Sequence, residues 1–229
     1  MLSLESLDGQ AAQVEPAFRL LAAVVVFGLM ALWEAARPRR ARVERRVPRW
    51  RRNLGIASLD ILIVRFALPI SVLETAYTAR ARGWGVLNQI DLPGMVEGAL
   101  AVLALDAVIY AQHALFHALP VLWRLHLVHH ADRELDVSTG VRFHPGEILI
   151  SVVIKMGAVA ALGASPFTVL LFETLLNATS QFNHANVRLG GRLEPLLRCL
   201  VVTPDMHRVH HSVLVPEQAS NFGFNFPWW

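Results

Sequence analysis

Ten histidines, nearly all in ligand-like spacings, constrain this chain of 229 residues more than any other feature. The stretch Asp106–His130 (DAVIYAQHALFHALPVLWRLHLVHH) holds five of them, as His-x-x-x-His (His113, His117) and His-x-x-His-His (His126, His129, His130). Residues three and four apart share a face of a helix. Each motif therefore aims its imidazoles at one spot. His-x-x-His-His recurs in MHRVHH (His207, His210, His211), while His144 stands in RFHPGE and His184 in FNHAN. Imidazole suits iron, zinc, copper and nickel. Eight or more imidazoles exceed what one ion can use, so the spacing predicts a two-metal site. The fold must bring several distant segments to one place.

The rest of the chain predicts where that place lies. Apolar residues make up 54% of it, and mean hydropathy is +0.43, well above a typical soluble protein. Residues 17–36 are long enough to cross a bilayer, and the acidic segment before them lacks the basic start of a cleaved leader. They are expected to be an anchor. Residues 37–52 carry nine arginines and one glutamate, which beside an apolar span marks a cytoplasmic loop rather than a nucleic-acid site. A second span is expected over 54–78 and a third from about Met95 to His117. Residues 79–93 between them, with net +1, suit the far side. The runs 147–163 and 166–182, parted by the turn signal GASP, are expected to form a hairpin of two short spans. The prediction is an all-α, polytopic membrane bundle of three full spans plus that hairpin, forming one domain over 1–229 with its core at 53–229. Arginine counting alone places every histidine cluster on the cytoplasmic side, in a helical cap.

Single Cys199 excludes an internal disulfide or a four-cysteine cluster, and no glycine-rich dinucleotide fingerprint is present. Second partners for the imidazole rings are sought among Asp106, Asp132, Asp136, Glu147 and Asp205, which lie close in sequence to the clusters. Phe116, Trp123, Phe143, Phe182 and Phe222 are candidates to line a route for an apolar substrate. Arg65 and Asp106 both fall near mid-membrane on consecutive antiparallel spans. An unpaired charge is costly there, so the two are expected to pair. Asp60 is cast as a partner of the metal site.

His-x-x-x-His, His-x-x-His-His, RFHPGE, FNHAN, TPDMHRVHHS and NFGFNFPWW stand in the order seen in the fatty acid hydroxylase/sterol desaturase superfamily, which residues 53–229 resemble. The resemblance implies an integral membrane, non-haem di-iron enzyme. Such enzymes use O2 and two external electrons to hydroxylate or desaturate a lipid C–H bond. It implies His113, His117, His126, His129, His130, His184, His207, His210 and His211 as ligands of two iron ions, with His144 either a ligand or a residue that orients one. It further implies a lipid substrate drawn from the bilayer. With no haem, flavin or cluster motif in the chain, the electrons must come from a separate ferredoxin- or cytochrome-like donor. Family members usually continue past the Trp-Trp position with an acidic residue and an FGT-like stretch, whereas this chain stops at Trp229. The expectation is either a truncated C-terminus or a missing closing segment of the cap. The readings that compete with this one are a different metal at the same site, a metal-ion transporter, and a catalytically silent lipid-binding relative.

Overall fold

The computed structural model describes residues 4–229, with side chains from residue 17 onward and that of Asp8. Of the acidic stretch 1–16, the other side chains and residues 1–3 lie outside the described part. The described residues form helices and no named strand; one isolated bridge joins Pro38 and Val187. The long helices are α1 (Leu4–Ala36), α2 (Arg46–Ala67), α3 (Val72–Arg82), α4 (Gly94–Ala118), α5 (Pro120–His130), α6 (Pro145–Leu162) and α7 (Pro166–His184). Three short ones follow: α8 (Leu193–Leu197), α9 (Pro204–His210) and α10 (Val215–Gln218).

The boundaries follow local chemistry. Ser71 and Glu74 form a reciprocal capping box at the start of α3, and Gly83 ends it in the left-handed region at φ 64°. Proline occupies the first turn of α5, α6, α7 and α9, where its missing N–H costs nothing. The GASP turn lies between α6 and α7 as expected, with Gly163 left-handed at φ 72°. There the backbone of Gly85 comes so close that a Cβ on it would lie 2.1 Å from the Gly163 nitrogen. Only glycine allows these two turns to cross.

Four stretches are long and apolar enough to cross a membrane: Ala17–Ala36, part of Arg46–Gln89, Gly94–Ala118 and Pro145–Leu162. Many of their large apolar side chains point outward, among them Leu21, Leu32, Ile61, Leu62 and Leu100, as a lipid-facing surface requires. Helix α7 is the buried centre. It packs on α1, α3, α4 and α9, and with Phe172 and Val169 it joins Leu73, Leu105 and Ile109 in the core.

Two expected spans differ. Helix α7, the second arm of the expected hairpin, is not among the four and is largely buried. Residues 54–78 are two helices, because Pro69 cannot continue α2 and forces Leu68 before it to extended backbone at φ −112°, ψ 120°. Arg65 therefore lies in the last turn of α2 and is exposed. It does not meet Asp106. The Asp106 carboxylate, 1% exposed, instead accepts from the Asn225 side chain (2.8 Å), the Phe226 N–H (3.3 Å) and the Trp229 indole (2.7 Å). A mid-bundle acid thus fastens the last residues of the chain over α4.

Acids expected near the imidazoles are likewise taken by arginine. Arg49, 2% exposed, meets Asp136 at 2.6 Å and Asp132 at 3.1 Å. Asp205 binds Arg39 at 2.9 Å. Glu34, fully buried in α1, accepts from the Val137 and Asn186 N–H groups and meets Arg46 at 2.9 Å. These contacts fold the arginine-rich segment 37–52 against the loops that flank the histidines.

The Asp106 clamp predicts that Asp106→Ala lowers stability by about 3 kcal/mol, since buried donors lose a charged acceptor, while Arg65→Ala leaves the melting temperature unchanged. Thermal unfolding of both variants in detergent checks this; an equal loss in the two would restore the rejected pair.

Candidate metal centre

The helices bring nine of the ten histidines together in two groups. His113, His117, His126, His130 and His210 form the first, and His129, His184, His207 and His211 the second; in each, the candidate ligand atoms all lie within 4.8 Å of one another. Helices α4, α5, α7 and α9 supply the rings. Each His-x-x-His-His motif is divided between the groups rather than aimed at one spot. His126 and His130 go to the first and His129 to the second, while His210 parts from His207 and His211. His130 and His211 stack at 4.3 Å where the groups meet.

Ring tautomers follow from the outer hydrogen bonds. The Nδ1–H groups of His113, His129, His184 and His210 donate to the carbonyls of Phe222 (2.7 Å), Arg142 (2.9 Å), Ser180 (2.6 Å) and Ser220 (2.8 Å). A carbonyl only accepts, so the proton sits on Nδ1 and the lone pair on Nε2 faces inward. His126 Nδ1 lies 2.7 Å from the Glu147 carboxylate. The inward atoms then crowd: His129 and His184 place Nε2 against Nε2 at 3.0 Å, and His113 and His126 do so at 3.1 Å. Two lone pairs at that distance repel unless a cation lies between them. Nε2 of His117 and of His210, with both nitrogens of His130, are buried without a protein partner.

A proton is a poor candidate for that cation. Burial, reinforced by neighbouring imidazoles, holds His126, His129, His207 and His211 well below the usual histidine range, and His210 at about 3. Neutral imidazoles with inward lone pairs fit metal ions, and iron, zinc, copper or nickel all accept such donors.

His144 stands outside both groups. It caps α6, where its Nδ1 accepts the Gly146 N–H at 2.9 Å. Of the acids near the clusters in sequence, Glu147 alone meets an imidazole among the described residues. Asp60 touches no imidazole and lines the larger space that adjoins the cavity beside them. The backbone carbonyls that orient the other rings left no mark in the sequence. Neither did Arg49, which holds Asp132 and Asp136 beside them.

A cavity of about 200 Å3 opens beside His113 and His126, with Phe116, Phe143 and Glu147 in its wall. It shares Phe143, Lys155 and Glu173 with a space of about 570 Å3 walled by Ile61, Val64, Leu68 and Val152. Phe143 also stacks on His129 at 4.5 Å. Trp123 and Phe222 pack on the imidazoles instead, and Phe182 packs on Trp33.

Acid should unfold the metal-free protein. The folded pKa values lie below the unfolded value of about 6.5, so below that pH the unfolded chain takes up protons that the folded one refuses. Stability is full above about pH 6.5 and is lost as pH falls toward 3, the His210 value. The melting temperature of the metal-free protein should drop steadily from pH 7 to pH 4; a flat profile would mean that these rings are not held neutral.

The fatty acid hydroxylase family model matches residues 98–229. An ornithine lipid hydroxylase of Rhizobium tropici is 31% identical over 138 residues, which is 60% of this chain and 40% of that protein. The chain therefore spans well under two thirds of that relative's length. No solved structure matches it. The family match extends over more than half of the chain and takes in both histidine groups, and the chain belongs to the fatty acid hydroxylase family.

Proposed function

We propose that this chain is a membrane-bound, O2-dependent di-iron oxygenase that hydroxylates a lipid. The observation that carries the reading is the pairing of two all-histidine groups whose Nε2 lone pairs converge. The first group would hold one iron through His113, His117, His126, His130 and His210, and the second another through His129, His184, His207 and His211. Iron held by neutral imidazoles supplies the O2 activation that oxidation of an unactivated C–H bond requires. Membership of the fatty acid hydroxylase family and similarity to an ornithine lipid hydroxylase favour hydroxylation over desaturation.

The chain's own residues do the rest. Carbonyl tethers on Nδ1 keep the rings in one tautomer and orientation. The Glu147 carboxyl, bonded to His126 Nδ1, fixes that ring's tautomer and orientation. Phe116, Phe143 and Phe224 keep the cavity side dry. The lipid enters between α1, α2 and α6, whose apolar residues wall the larger space.

The arginine-rich segment 37–52 lies on the same end of the bundle as the histidines, since Arg39 and Arg49 bind Asp205, Asp132 and Asp136. The positive-inside rule then puts the site on the cytoplasmic face. A cavity of about 680 Å3 opens there beside His211, with Arg39, Arg40, Arg133 and Arg208 in its wall. The buried Nε and Nη2 of Arg208 have no protein partner. Such a face suits an acidic electron donor.

Protein purified without chelator should contain two irons per chain. His129→Ala and His210→Ala, one from each group, should each cut metal affinity and turnover at least about tenfold. Metal analysis, with mass spectrometry of cell lipids for the gain of one oxygen atom, checks both. Full iron and full activity in either variant would overturn the assignment.

A further inference from the structure

Lys155, the only lysine in the chain, sits in α6, a helix apolar and long enough to span a membrane. An ionisable residue at such a place is costly and usually marks a functional path. Its ammonium meets the Glu173 carboxylate of α7 at 2.6 Å, and Arg19 of α1 reaches the other oxygen at 3.0 Å. The bland account is a clamp between α6 and α7. Two observations go beyond it. First, all three side chains line the cavity that touches His113 and His126. Second, the polar lining continues between them and the imidazoles.

Glu147, Ser151 and Lys155 follow each other at intervals of four along α6, one stripe descending about 12 Å from the level of His126. Gln112 of α4 donates to Ser151 at 3.1 Å, and its Oε1 is buried without a partner. Glu147 Oε2 is likewise buried and unpartnered. An apolar tunnel for mid-chain hydrocarbon would not carry this lining, since each unpaired polar atom costs free energy. The adjoining larger space toward α2 is more apolar: Ile61, Val64, Leu68 and Val152 line it, with Asp60 and Arg65 also in its wall.

We propose that the small cavity is a subsite for the polar head of the lipid, which enters head-first and leaves its tail in the apolar space between α1, α2 and α6. This rests on the oxygenase reading for its chemistry but not for its test. The carbon presented to the imidazoles then belongs to the polar end of the lipid, not to the middle of a chain. The donors and acceptors define the head. Lys155 has N–H groups beyond the one given to Glu173, which suit a carboxylate. Gln112 Oε1 and Glu147 Oε2 suit an N–H donor. An acylated amino acid has both.

The test is binding, read by native mass spectrometry of the detergent-purified protein with N-dodecanoylglycine and methyl dodecanoate as probes, so that it needs no turnover. Lys155→Met should lower occupancy by N-dodecanoylglycine about tenfold, the loss of a hydrogen bond to a charged group. Lys155→Arg should restore it, and methyl dodecanoate should bind alike in all three proteins. Unchanged binding of N-dodecanoylglycine in a folded Lys155→Met protein, or equal loss of both probes, would overturn the subsite and leave Lys155 as a clamp. If Lys155→Met does not fold, Ser151→Ala carries the same comparison: a selective fall of about threefold supports the subsite, and no change overturns it. Loss of iron or activity elsewhere would sink the oxygenase reading without moving this result.

Discussion

Lone pairs that face one another inside a dry space are the constraint on which this structure depends. Left to themselves, the rings of His129 and His184, or of His113 and His126, would turn away from each other or admit water. They are prevented by bonds on their outer edges to Phe222, Arg142, Ser180 and Glu147. Those partners come from the C-terminal segment, the loop before α6, α7 and α6 itself, so the orientation of each ring draws in a different part of the chain. The energetic burden of the centre is spread over the backbone, whose carbonyls are strong and fixed acceptors.

Charge inside the bundle serves the same end. Asp106 holds Asn225 and Trp229, and so seats the segment whose Phe222 carbonyl orients His113. Arg49 gathers Asp132 and Asp136 beneath the loop that continues to Arg142, whose carbonyl orients His129. Buried ion pairs add little net stability, but they fix which loop lies where. Glu34 plays the same part for α1, gripping two loops by their N–H groups.

Much of this was legible in the chain itself. Apolar runs and the arginine segment marked the spans, GASP marked the turn between α6 and α7, and the histidine spacings marked the rings that converge. The expected Arg65–Asp106 pair does not form because Pro69 ends α2 before α3 begins, a break that apolar composition does not reveal. Asp132, Asp136 and Asp205 do not reach the rings, because nearness in sequence says nothing of competing partners and arginines about 80 to 170 residues away claim them. Carbonyl tethers leave no trace in residue identity at all. The division of each His-x-x-His-His motif follows from helix geometry only once it is known that targets lie on both sides. Residues at i and i+4 then face one, and the residue at i+3 reaches the other.

That division ties the two centres together mechanically. Helix α5 and the turn of α9 each lend rings to both, and His130 lies flat on His211 at their border. The spacing between two bound ions would thus be set by helical pitch, as rigid as the hydrogen-bond ladder behind it. Ordering α5 and α9 around a first ion would leave the second pocket already assembled, its entropic cost met in advance. Occupancy should then run in pairs, with half-filled molecules scarce, and cooperativity of loading would be built into two short turns of helix.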